Sequence, residues 1–477
     1  MLQDHIKEQI LKELSFEPTL GQKQLIDLLS DFLAPFSAKQ ILLIKGYAGT
    51  GKTTTISSFI KAASKFKQKL YLITPTGRAA KVLSSYSGKP AFTIHKKIYR
   101  QVSANDGLGK FQLDKNLHKS TIFIVDEASM ISNRSDGSNF GSGRLLDDLM
   151  RYVFNGENCK LIIIGDTAQL PPVNSNLSPA LDAKELETYG YNVDEIELKE
   201  VIRQAKGSGI LNNATNMRHL ITEKSKNYPE INYKDFSDVN KISGEDLIDL
   251  IGESYDKNGI ENTIVVTRSN KRANIFNQGI RNSILWKEDE ISQGDIIMVV
   301  KNNYFWMPKN EHTDFIANGD IAEVLRVGKF EEMYDQRYVN LTIRLLDYPD
   351  LEIDVKAFLN TISLETASMS LKSGKELFYK IAEDYAHIRP QSKMYKTVKE
   401  DKYLNALQIK FAYAVTCHKA QGGQWQNVFI DHGYITDEMV DTEFLRWLYT
   451  AFTRAQENVH LVNFSKKFFA EEDKDEF

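Results

Sequence analysis

A chain of 477 residues is too long for a single core, and at roughly 100–200 residues per domain it calls for two to four domains. The formal net charge of −4 excludes a protein coated in positive charge, although a narrow basic channel would leave no trace in that sum. The two cysteines, Cys159 and Cys417, exclude a disulfide framework and a cysteine metal site, and the sequence has no secretory or membrane-length apolar run, so a cytoplasmic protein without a membrane partner is expected.

In chain order, the opening MLQDHIKEQILKELSF sets Leu2, Ile6, Ile10 and Leu14 on one face among charges, which predicts an amphipathic helix. Residues 41–54 read ILLIKGYAGTGKTT. Gly46, Gly51, Lys52 and Thr53 fit the pattern GxxxxGK[ST], with a predicted strand before the loop and a predicted helix after it. In such a loop the backbone N–H groups of Gly46, Ala48, Gly49, Thr50, Gly51, Lys52, Thr53 and Thr54 surround phosphates. Lys52 reaches the terminal phosphates and Thr53 ligates Mg²⁺. A bare glycine-rich turn is the plainer alternative, but strand and helix stand where a nucleoside triphosphate site needs them.

Three further apolar runs, LYLITPT, TIFIVDE and KLIIIGD, alternate with helical stretches, as strands of a parallel α/β sheet do. The segment YRQVSANDGLGKFQLDKN carries turn signals around Gly107 and predicts a projecting hairpin, with Phe111 on its returning limb. After TIFIV, Asp126 is placed to hold Mg²⁺ directly or through water, and Glu127 to orient and deprotonate an attacking water. SNRSDGSNFGSG, just beyond, reads as a flexible loop. In GDTAQLPPV, Gln169 is positioned to register the γ-phosphate, and Arg203 and Arg454 are candidate arginine fingers, though surface arginines are commonplace. The runs NTIVVTRSN, FAYAVTCHKAQG, QNVFIDHG and NVHLVNF predict a second parallel sheet. Between the sheets, residues 294–364 alternate like short antiparallel strands of a small barrel, and 372–402 are polar, charged and weakly helical.

Taken in order, GYAGTGKTT, TPTGRAAKVL, TIHKKIY, DEASM, GDTAQLPPV, LKEVIRQ, YAVTCHKAQGGQW and LYTAFTRA resemble the motif series of superfamily 1 helicases. They are most similar to the 5′ to 3′ class typified by RecD, Dda and the Pif-type DNA helicases. The resemblance implies two RecA-like P-loop domains, at 1–195 and at 196–303 with 403–477. It also implies a pin hairpin at about 97–118 and an inserted small SH3-like β-barrel and helical subdomain at 304–402. ATP and Mg²⁺ are the implied cofactors, with Gln22 reading the adenine edge. Pro75, Thr76, His95, Thr416, His418, Lys419 and Gln421 fall on positions lining a single-strand channel, where small donors grip phosphates without reading bases. The implied protein is a monomeric ATP-dependent DNA helicase acting on single-stranded, forked or tailed DNA. An RNA or hybrid helicase, and a nucleotide-gated clamp or nuclease subunit, stand as the alternatives.

Overall fold

A computed structural model describes residues 2–14, 16–33, 40–102, 110–135, 141–201, 207–307, 315–346 and 351–469. Eight strands belong to the first half of the chain: β1 (Ile41–Gly46), β2 (Lys69–Thr74), β3 (Ala91–Thr93), β4 (Tyr99–Val102), β5 (Lys110–Leu113), β6 (Thr121–Val125), β7 (Lys160–Gly165) and β8 (Val193–Leu198). Six of them form a parallel sheet in the order β3-β2-β6-β7-β1-β8. Its strands read as continuous apolar runs because both faces are covered. Ile41, Leu43, Phe123 and Ile163 pack toward the helix Leu145–Phe154, while Leu42, Ile44, Ile122 and Ile162 pack toward the helices Leu20–Leu33 and Lys52–Lys65. The first helix, Leu2–Glu13, adds Ile6 and Ile10 to that second face, as its amphipathic pattern predicts.

The second half supplies β9 (Val239–Ile242), β10 (Thr263–Thr267), β11 (Ile296–Val299), β12 (Ile321–Met333), β13 (Gln336–Leu345), β14 (Glu352–Phe358), β15 (Leu407–Phe411), β16 (Ala414–Thr416), β17 (Trp425–Asp431) and β18 (Ala455–Val462). A second parallel sheet runs β16-β10-β17-β18-β9, and β11 to β15 close into a barrel. The fold is therefore two parallel-sheet RecA-like domains with a barrel inserted in the second, as the sequence predicts.

The expected insertion at 304–402 is narrower than the barrel, whose closing strands β11 and β15 lie on either side of it. Both carry the apolar texture of the neighbouring sheet strands, and β15 leads into β16 through Ala412 and Tyr413 alone. That junction is held by Asp295, 0% exposed, which accepts from Arg281 Nε and Nη2 (3.1 Å each), Lys287 Nζ (3.1 Å), Ser292 N (2.7 Å) and Tyr413 Oη (2.9 Å). The weakly helical segment forms the helices Leu371–Asp384 and Gln391–Lys399, whose Leu377, Ile381, Met394 and Val398 pack on Tyr338 and Phe358 of the barrel.

Strands β4 and β5 pair antiparallel as the predicted hairpin, rooted where Asp114 N donates to Ile98 O at 2.7 Å. Its turn, including Gly107, lies outside the described residues. The Phe111 ring packs on Tyr304 at 4.6 Å between centroids, and Tyr304 stacks on Phe315 at 4.8 Å, so the hairpin leans on the second domain. The loop expected to be flexible after Met130 is tied down at its described end. Gly141 N donates to Phe111 O at 2.7 Å, and Ser142 N and Tyr99 Oη both donate to Asp148 Oδ2 at 2.8 Å. Gly141 has φ +49°, and a Cβ there would come within 2.1 Å of that carboxylate, so only glycine fits. Residues 136–140 of the loop lie outside the described residues.

Candidate nucleotide site and strand channel

The phosphate loop leaves β1 at Gly46 and enters the helix Lys52–Lys65 at Gly51, with Gly49 and Gly51 at φ +75° and +76°. Those left-handed positions let consecutive amides turn inward at a helix N-terminus, an arrangement that receives anions. Lys52 Nζ lies back across the loop on the carbonyls of Gly46 and Tyr47 (2.8 Å to Tyr47), while Thr53 is half-buried and Thr54 exposed. Gln22 is fully buried behind the loop. Its Nε2 donates to Thr50 O at 3.0 Å and its Oε1 accepts from Thr19 N at 2.9 Å, so in this conformation its amide braces the loop.

Asp126 and Glu127 follow β6 directly. Glu127 takes φ +54°, a left-handed conformation that costs a non-glycine residue roughly 1–2 kcal/mol. Burial, with Glu127's charge beside it, raises the Asp126 carboxyl, and the Lys52 ammonium opposes the shift. A half-buried carboxylate and a hydroxyl are hard-oxygen donors suited to Mg²⁺, an ion that keeps most of its ligands as water and phosphate oxygens. Thr53 and Asp126 thus fit the ion, and no cluster of three or more His, Cys, Asp or Glu side chains suited to a metal occurs among the described residues.

The second domain closes over this site. In the helix Thr442–Phe452, Tyr449 Oη accepts from Ala48 N at 2.9 Å and donates to Asp166 Oδ2 at 2.6 Å. Burial and the Asp166 carboxylate keep that phenol protonated. From the same helix, Thr450 Oγ1 accepts from Leu170 N at 2.8 Å, and Arg446 donates to the carbonyls of Thr167 and Gln169. Leu211 and Val201 lie against Gly49. Gln169, nearly buried, takes a 3.4 Å hydrogen bond from Ser129 Oγ. Arg454 is buried on its own domain, donating to Thr450 O at 3.1 Å and Gly423 O at 3.2 Å; a finger role requires it to leave those carbonyls. Arg203 lies outside the described residues. Sequence reasoning did not single out Tyr449 or Arg446, although Tyr449 lies within LYTAFTRA and Arg446 two residues before it, in the helix that ends two residues before Arg454.

The predicted channel residues gather where the carboxyl edges of the two sheets meet. Pro75 and Thr76 follow β2, and Thr76 Oγ1 caps the helix Gly77–Ser87 through Ala79 N at 3.2 Å. A Cβ on Gly422 would stand 3.1 Å from that same oxygen, so loops of both domains touch. Arg78 lies 3.8 Å over the Trp425 ring across the same boundary. Burial lowers His95 to about 4, leaving a neutral imidazole. His418 is exposed and Lys419 half-buried, whereas Gln421 is 4% exposed and donates to Leu170 O at 2.8 Å, which places it in the domain interface.

A phosphate loop, an acidic pair behind it and a second parallel-sheet domain closing over both define a P-loop nucleoside triphosphatase of two RecA-like domains. The AAA domain family model matches residues 22–228, and the UvrD-like helicase C-terminal domain model matches residues 411–462. The chain is 24% identical to the ATP-dependent DNA helicase dda of Enterobacteria phage T4, over 93% of this chain and 99% of that one. It is 23% identical to the ATP-dependent RecD2 DNA helicase of Deinococcus radiodurans, over 92% of this chain but only 49% of that longer protein. Among solved structures, the Pif1 helicase from Bacteroides in complex with ADP-AlF3 and ssDNA has a TM-score of 0.47 and 15% identity, covering 96% of this chain and 95% of that one. These similarities support a superfamily 1 helicase of the RecD and Dda type and an ATP-hydrolysing enzyme.

Proposed function

We propose that the chain is an ATP-dependent DNA helicase that moves 5′ to 3′ along single-stranded DNA and unwinds the duplex ahead of it, as a cytoplasmic monomer on forked or tailed DNA. One observation carries this reading. The helix Thr442–Phe452 touches the phosphate loop through Tyr449 and the GDTAQL turn through Arg446 and Thr450, and Trp447 O accepts from Cys417 Sγ at 3.5 Å, beside Thr416, His418 and Lys419. A rearrangement at the triphosphate therefore has a short rigid path to the loop that holds the strand.

In the proposed cycle, the loop amides and Lys52 bind the phosphates and Gln22 lies near the adenine end. Thr53 and Asp126 would hold Mg²⁺, which would supply neutralising charge to the phosphates. Glu127 accepts a proton from the attacking water as its oxygen bonds to the γ-phosphorus and the bond to the β–γ bridging oxygen breaks, giving ADP and phosphate. Gln169 registers the γ-phosphate, and Arg203 and Arg454 offset charge on the transferring group. Closure and reopening of the cleft move the two halves of the channel, which grip alternately.

The test is strand separation on 5′-tailed, 3′-tailed and blunt duplexes with ATP, using Glu127→Gln as the inactive control. Unwinding of the 5′-tailed substrate alone is expected. Unwinding of the 3′-tailed substrate alone overturns the direction. Strand-stimulated hydrolysis without separation leaves a clamp, and preference for an RNA strand moves the substrate class.

A further inference from the structure

Lys410 on β15 of the barrel and Lys419 in the helix Cys417–Ala420 line one cleft at the junction of barrel and second sheet, together with Thr416, Asn270 and Asn274. No acidic residue among the described residues lines it. Lys410 is 8% exposed, yet its ammonium has no carboxylate partner among the described residues; it donates to Leu364 O. Among the described residues Lys419 likewise donates only to the Asn318 side-chain carbonyl, on the barrel's loop before β12. An ammonium has three donors, so each lysine keeps further N–H groups for another acceptor. The two charges also sense each other: burial lowers both lysines to about 8, with Lys410 contributing to the shift of Lys419. Two like charges enclosed without a counter-ion are unfavourable unless something anionic completes the site.

Thr416 points the same way. It stands at the N-cap of its short helix but makes no capping hydrogen bond, whereas Thr76, Thr93 and Ser269 at equivalent positions all cap theirs. Its hydroxyl is therefore not spent on the backbone. The Asn274 amide is spent on the carbonyls of Ser363 and Leu364, but the two ammonium groups, the Thr416 hydroxyl and the Asn270 amide around one opening, without carboxylates, make a site for a phosphate oxyanion.

We propose that Lys410 is a strand-binding residue of the barrel, and that with Lys419 and Thr416 it binds one backbone phosphate of the single strand. This rests on the helicase reading above and extends the channel onto the barrel, which then holds the strand as well as bracing the hairpin. The charge of Lys410 is what matters, since a glutamine can still donate to Leu364 O.

The experiment is the affinity of the full chain for a fluorescein-labelled oligothymidylate between 50 and 300 mM salt, for the parent, Lys410→Gln and Lys410→Arg, with a thermal melt of each. Losing one phosphate contact on a single strand lowers the log–log salt slope by about 0.7. That drop is expected in Lys410→Gln, with the parental slope restored in Lys410→Arg. A parental slope in Lys410→Gln overturns the proposal. Equal loss in both variants with an earlier melt also overturns it, by making the residue structural. Displacement of the oligonucleotide by low-millimolar inorganic phosphate at constant ionic strength, seen in the parent but not in Lys410→Gln, reassigns the site to free phosphate and overturns it too. If the parent itself shows no salt-dependent binding, the helicase reading fails instead.

Discussion

The Tyr449 hydroxyl accepts the Ala48 N–H at 2.9 Å, so a phenol of the second domain rests on the phosphate loop of the first. Nucleotide must compete with it for that amide. Tyr449→Phe keeps the ring and removes the competitor. The free protein should bind a fluorescent ATP analogue more tightly, by up to about tenfold, given the roughly 0.5–1.5 kcal/mol a hydrogen bond contributes. The variant should also lose about 1–3 kcal/mol in denaturation, because Asp166 Oδ2 loses its Tyr449 donor while Oδ1 keeps the Ala168 N–H. Weaker binding would make the phenol a ligand of the nucleotide and not its rival.

Lys52→Ala should abolish ATP turnover and leave the fold intact, since the side chain is half-buried in a cleft and supports no core. Glu127→Gln should bind ATP and fail to hydrolyse it, since it removes the base and spares Asp126. Phosphate release and equilibrium nucleotide binding check both. Loss of binding in Glu127→Gln divides the roles wrongly.

Arg454→Ala should lower kcat by about 10³-fold or more with little change in ATP affinity, the worth of an arginine finger, and Arg203→Ala should do the same. Ordinary turnover leaves Arg454 as a structural link between Thr450 and Gly423.

Asp295→Asn leaves Arg281, 1% exposed, without its counter-charge. A cost of about 3–5 kcal/mol is expected from breaking one side of a buried pair. Urea denaturation measures it, and a cost below about 1 kcal/mol would mean the site admits water.

Replacing residues 103–111 with a short Gly-Ser turn should leave DNA-stimulated ATP hydrolysis nearly intact and severely reduce strand separation. Equal unwinding at matched hydrolysis rates removes the hairpin from the splitting step.

The parts legible in the sequence are those whose chemistry is local. GYAGTGKTT needs only a strand, a loop and a helix in succession, and the apolar runs of β1, β2, β6 and β7 announce a sheet covered on both faces. The strands β3, β8 and β9 escaped because AFT and VNKI are short, and VDEIEL alternates acids with apolar residues as an edge strand does. Tyr449 and Arg446 escaped for another reason. Nothing near them in the chain shows that their helix will lie across the other domain, and an arginine that donates to backbone carbonyls carries no motif. Gln421 and Gln22 sit in recognisable motifs, yet both amides are spent on buried carbonyls, which only the assembled interface reveals.

Tyr413 and Asp295 fasten the barrel to the second sheet, whereas the hairpin grows from the first sheet and meets the barrel through Phe111 and Tyr304. The barrel is therefore tied firmly at its base, and the hairpin is a part shared between two bodies that would move against each other in the proposed cycle. Aromatic faces in contact have shallow directional preference and keep most of their attraction as they slide, where a hydrogen bond of the same reach would break. In that cycle Phe111 and Tyr304 would work as a bearing. Each swing of the second domain can travel beneath the hairpin without tearing it from its support.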